Sequence, residues 1–220
     1  MGDYRLLYRG GTGEIVEKKS RFIADVTPIA SEEEALAFIE GVRKKYWDAR
    51  HHCFAYVAGP KDELMRFSDD GEPSGTAGRP ILDVLTGSGL HNCLIIVTRY
   101  FGGTLLGTGG LVRAYTAAAK EGIANSTVME VIPASRTRLH MDYTDLGKVQ
   151  YILSEDGIVT EQTEYAEGVD LTVLLPTDTA EREIKKLVNA TSARISVTDG
   201  GEVRFGMDGG QPVIFEGGLC

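Results

Sequence analysis

Thirteen residues in two stretches of this 220-residue chain have the types and spacing to bind or react. The first stretch is Arg99-Tyr100-Phe101-Gly102-Gly103 through Thr108-Gly109-Gly110, with Arg113 beyond it. It follows the apolar run Leu94–Val97, which reads as a buried strand, and precedes Leu111 to Asn125, which reads as a helix. Glycines there let the backbone approach a ligand closely. The amides of Thr108 to Gly110, unpaired donors at a helix start, suit an anion. Arg99 and Arg113 add charge, and Tyr100 and Phe101 offer stacking faces. The competing reading is tight turns and core aromatics. The stretch is not a phosphate-binding P-loop, because no Gly-Lys-Ser/Thr closes it. It is not a dinucleotide fingerprint, because Val112 stands where a third glycine is needed.

The second stretch, Phe67 to Pro80, is polar, and carries Asp69, Asp70, Glu72 and Arg79. The carboxylates could hold a hard cation or pair with Arg79 or Arg99. The spacing is not that of an EF-hand, and arginine pairing is the preferred expectation, with no metal and no cofactor implied. His51 and Cys53, two apart on a strand, could share a face. Two ligands do not make a zinc site, and a half-buried strand edge is the better reading. Ser68 and Ser74 lack a nucleophile-elbow context.

These stretches need elements to position them. Residues 12 to 29 read as two strands joined near Lys18-Lys19-Ser20. Ser31 to Glu34 matches a capping box, with Leu36, Ile39, Val42 and Tyr46 following at helical spacing. His52 to Ala58 reads as a strand and Ile81 to Thr86 as a short helix. Thr127 to Ile132 reads as a strand closed by Pro133. From Ser135 a βαββαβ order restarts, the ferredoxin-like arrangement. Arg136 to Tyr143 is its first strand and Arg194 to Val197 its last. Gly206 to Cys220 is glycine-rich and expected to be loosely attached. The expected domains are 1–133, 134–205 and a tail, 206–220.

Composition bounds the classes. Hydrophobic residues are 42% and charged residues 25%, as in an ordinary globular protein. A net charge of −9 excludes the overall basicity of a nucleic-acid binder, though it is an average and leaves room for a local basic patch. Three cysteines, Cys53, Cys93 and Cys220, make no disulfide framework or zinc ribbon. No apolar run is long enough to cross a bilayer, and Met1 to Tyr8 lacks the core of a signal peptide. A cytoplasmic protein is expected.

The run Ser68 to Ile81, together with Val97-Thr98-Arg99-Tyr100-Phe101-Gly102-Gly103 to Gly107, resembles the YigZ/IMPACT family, in its bacterial two-domain form. The resemblance implies an α+β protein with an N-terminal unit like domain 2 of ribosomal protein S5. It implies a ferredoxin-like C-terminal unit similar to the last domain of elongation factor G. Eukaryotic IMPACT proteins are translational regulators, so the resemblance implies a non-enzymatic binding protein. Its partner would be the ribosome, RNA or a translation-associated protein. The alternative is a small enzyme acting on a phosphorylated or anionic metabolite at the glycine-rich corner, with Asp69 or Asp70 as the acid/base group.

Overall fold

A computed structural model describes residues 4–59 and 63–215. Cys220 lies outside the described residues. The chain divides into two compact units that meet in sequence between Glu130 and Val131.

The first unit is built on an antiparallel sheet of five strands: β2 (Thr12–Glu17), β3 (Ser20–Pro28), β4 (His51–Ala58), β5 (Leu64–Ser68) and β7 (Cys93–Tyr100). Their spatial order is β2-β3-β7-β4-β5. Two short strands, β1 (Tyr4–Arg9) and β6 (Leu90–His91), pair in parallel. The central strand β7 is apolar without a break because both of its faces are covered. Ile95 and Val97 join Phe22, Ala55, Ile81, Leu85, Tyr115 and Ala118 under α2 (Gly78–Gly87) and α3 (Gly107–Ala124). Leu94 and Ile96 join Ile39, Val42 and Tyr56 under α1 (Glu32–Lys45).

The capping box of α1 forms. Ser31 accepts from the Glu34 amide at 3.3 Å, and the Glu34 carboxylate reaches back to the Ala30 amide at 2.8 Å. The inward stripe of α1 is Ala35, Ile39 and Val42, and Leu36 is exposed, contrary to the periodicity reading. Successive residues lie about 100° apart around a helix, so Ala35 and Leu36 cannot both face the sheet.

The second unit has the βαββαβ order: β8 (Thr127–Met141), α4 (Tyr143–Glu155), β9 (Val159–Tyr165), β10 (Val169–Pro176), α5 (Ala180–Ala190) and β11 (Ser196–Asp208). Strands β9, β10, β8 and β11 run antiparallel in that order. Leu139, Met141, Val149, Ile152, Leu171, Val173 and Leu187 fill the layer between sheet and helices.

Three expectations need correction. Pro133 does not close a strand, because β8 runs through it, with Pro133 opposite Arg204. Proline has no N–H to give a ladder; here its carbonyl accepts from the Thr177 amide at 3.0 Å. Of the segment 206–220 read as a loose tail, residues 206–215 are instead part of a hairpin, since β11 extends to Asp208 and pairs with β12 (Gln211–Phe215), and 216–220 lie outside the described residues. Helix α2 starts at Gly78, three residues before the expected start.

Candidate functional site

Strand β5 ends at Ser68, and the loop 69–77 folds back over the ends of β4 and β7. Each of its three carboxylates is consumed in doing so. Asp69 accepts from the amides of Gly75 (2.8 Å), Ala77 (3.0 Å) and Gly78 (2.8 Å). Ala77 gives α2 no side-chain cap, so Asp69 serves the bare amides from a distance in sequence. Gly78 is required by close approach: a Cβ there would lie 2.7 Å from the Ser68 backbone.

Asp70 adopts a left-handed conformation, φ 42°. Its carboxylate takes the His52 amide at 2.6 Å and the Arg43 guanidinium at 3.2 Å. The ring Nδ1–H of His51 donates to the Asp70 carbonyl at 2.9 Å.

Glu72 makes the deepest contact. Its Oε1 accepts from Arg99 Nη1 at 2.6 Å and from the Tyr115 hydroxyl at 2.8 Å. The side chains of Arg99 and Glu72 are 6% and 4% exposed. The guanidinium lies 5.4 Å from the Phe22 ring centroid and 5.6 Å from that of Phe101. The Cys53 thiol donates to the Asp69 carbonyl at 2.9 Å and lies 3.4 Å from the Tyr115 hydroxyl. Burial pushes both the Cys53 thiol and the Tyr115 phenol well above their ordinary pKa values, so neither ionises near neutrality. Cys53 is therefore an inert core thiol rather than a nucleophile.

The glycine-rich segment is the outer wall. The Gly102 amide donates to the buried Ser20 hydroxyl at 3.1 Å, and a Cβ on Gly102 would fall 2.1 Å from the Lys19 backbone. From Phe101 to Gly109 the chain is largely exposed, with Leu105 83% and Phe101 52% exposed. No side chain caps α3, so the amides of Gly107, Thr108 and Gly109 open its exposed N-terminal turn, and Gly110 and the exposed Arg113 follow.

The structure thus brings Asp69, Asp70, Glu72 and Arg99 to one end of the first unit. Arg99 adds no free charge to the glycine-rich wall, because Glu72 neutralises it. Arg79 does not join: it pairs with Asp83 one helical turn along α2, at 2.8 Å. Tyr100 points to the opposite face from Arg99, where its hydroxyl donates to Asp48 at 2.8 Å. Tyr115 and Ser20 were missed by sequence reasoning, and no local signal marks them. Among the described residues, no His, Cys, Asp and Glu group is placed to hold a metal ion.

A groove of about 550 Å³ lies between α2 and α3, lined by Pro80, Val84, Val112, Thr116 and Ile123 among others. None of the loop carboxylates lines it.

Comparison with known proteins follows the same two units. A model of the Impact N-terminal domain matches residues 18–123, and one of a domain of unknown function, DUF1949, matches residues 139–194. The chain is 42% identical over 167 residues to the IMPACT family member YvyE of Bacillus subtilis, covering 76% of this chain and 77% of that one. It is 43% identical over 162 residues to the IMPACT family member YigZ of Escherichia coli, covering 72% and 79%. A crystal structure of a hypothetical protein superposes with a TM-score of 0.56 at 37% identity, covering 90% of this chain and 97% of that one.

Proposed function

The chain belongs to the IMPACT family, and on that premise we propose that it is a cytoplasmic, non-enzymatic binding protein linked to translation. Its partner is the ribosome, RNA or a translation-associated protein. One observation carries the non-enzymatic half: Asp69, Asp70 and Glu72 are all spent on internal bonds. A general acid or base needs a proton it can exchange with substrate, and these carboxylates face amides and guanidinium groups of their own chain. The groove between α2 and α3 contains none of the three, and of its own titratable lining residues, Asp83 and Lys120, Asp83 is paired with Arg79. Beside them Phe101 to Gly110, anchored at Gly102 by the Ser20 hydroxyl, form a largely exposed rim with uncapped helix amides. Rigid support beneath an exposed loop suits recognition.

Co-sedimentation with ribosomes across a salt series tests the reading. The chain is expected in the ribosome pellet at low salt, and Phe101→Ala with Leu105→Ala is expected to weaken that association. Failure to pellet with ribosomes, with ribosomal RNA and with ribosome-associated proteins would overturn it.

A further inference from the structure

The end of the first unit where β3 and β4 begin carries a second surface, on the α1 side of the sheet. Four segments converge there. Arg21 stands opposite Tyr100 in the β3–β7 pairing, with its guanidinium 5.5 Å from the Tyr100 ring centroid. The Tyr100 hydroxyl reaches Asp48 in the connection after α1. Lys45, the last residue of α1, lies 4.6 Å from the Tyr46 ring centroid and 3.2 Å from an Asp25 carboxylate oxygen. The turn Lys18-Lys19 sits against Gly102.

Three features of this surface lack a structural purpose. Trp47, the only tryptophan of the chain, is 81% exposed. Lys18, Lys19, Lys44 and Arg50 are exposed and form no ion pair among the described residues. Lys18 and Lys19 both hold left-handed conformations, φ 46° and 68°. Asn-Gly would fill a two-residue hairpin turn of this kind at lower cost, so the lysines are not there for the turn. Within residues 43–50 four cations stand against one acid, Asp48. Arg43 is paired with Glu40 and Asp70, Lys45 with Asp25, and Arg21 with Glu14, which leaves Lys44, Arg50 and the hairpin lysines as the unpaired cations of this surface among the described residues. The acidic surplus falls mostly in residues 131–220.

We infer that this face binds single-stranded RNA, a base stacking on Trp47 while Lys18, Lys19, Lys44 and Arg50 meet successive phosphates. Interleaved rings and cations match a polyanion that also presents π-faces. A duplex is a poorer match because its bases are stacked inside. The inference narrows the translation-linked reading, on which it rests, to one ligand class and one face.

Trp47 supplies its own probe. The full-length protein is titrated with a twelve-nucleotide oligouridylate, following tryptophan fluorescence and, with labelled RNA, anisotropy. Saturable quenching is expected, with binding that weakens as salt rises. Trp47→Ala should weaken binding roughly tenfold, since a base–aromatic stack is worth that order. Lys18→Asn with Lys19→Gly removes two charges and installs a favoured turn pair, so folding is not at risk. It should lower the slope of log affinity against log salt by about 1.4, the share of two phosphate contacts on a single strand. Heparin, anionic but without bases, should bind without the loss on Trp47→Ala. Absence of quenching, or equal RNA affinity for Trp47→Ala, would overturn the inference. If that happens while ribosome co-sedimentation persists, this face is wrong and the broader reading stands, resting on a protein contact. If both fail, both are wrong.

Discussion

Glu72 shares one carboxylate oxygen between Arg99 and Tyr115, and all three side chains are buried. Removing one member of a buried pair leaves the other charge unsolvated and uncompensated. Glu72→Gln is therefore expected to destabilise the first unit by about 3–5 kcal/mol, read by urea denaturation. Replacing both charged partners, Glu72→Gln with Arg99→Met, should cost less than the sum of the single changes. Additive losses would show that the pair does not couple. At this scale the chain was partly legible. Four acidic or basic residues within Ser68 to Arg79 promised an arginine pair, and Glu72–Arg99 is one. The choice of Arg99 over Arg79 was not legible. Arg79 finds Asp83 four residues away on its own helix, whereas Arg99 is delivered by β7 into a space that only the assembled sheet and α3 enclose.

Elements repeat the contrast. The start of α1 could be read because its cap is local: Ser31 and Glu34 are three residues apart. The start of α2 could not, because its cap comes from Asp69, eight and nine residues ahead of the amides of Ala77 and Gly78. Three amides on one carboxylate are charge-assisted bonds at the positive end of a helix. Asp69→Ala is expected to cost about 2 kcal/mol, with faster amide hydrogen exchange at Ala77 and Gly78. Asp69→Asn should lose less, keeping an acceptor without the charge. An unchanged exchange rate at those two amides would show that the cap contributes nothing. The uncapped start of α3 differs in kind: its first turn is exposed, so water can serve its amides.

At the scale of the whole molecule, β8 (Thr127–Met141) is the element along which one unit gives way to the next in sequence. The boundary between Glu130 and Val131 falls inside it. Brief trypsin treatment is accordingly expected to spare Arg136 and Arg138 until the protein unfolds, because ladder-bonded strands do not fit a protease cleft. Early cutting at Arg136, seen by mass spectrometry of the fragments, would show that this part of β8 opens in the folded protein. Among the described residues, no helix is long and apolar enough to cross a membrane. The family pairing of the 68–81 and 97–107 runs, the two α+β units and the βαββαβ order of the second were all present in the sequence. Each depends on local periodicity or on residue identity. What binds to what was not. Tyr115 meets Glu72 across 43 residues, and Ser20 meets Gly102 across 82. Lys18 to Arg21, Lys45 to Arg50 and Tyr100 become one surface only when β3, β4 and β7 lie side by side. Period and propensity act over a few residues, whereas burial, ion pairing and shared surfaces are properties of the packed chain.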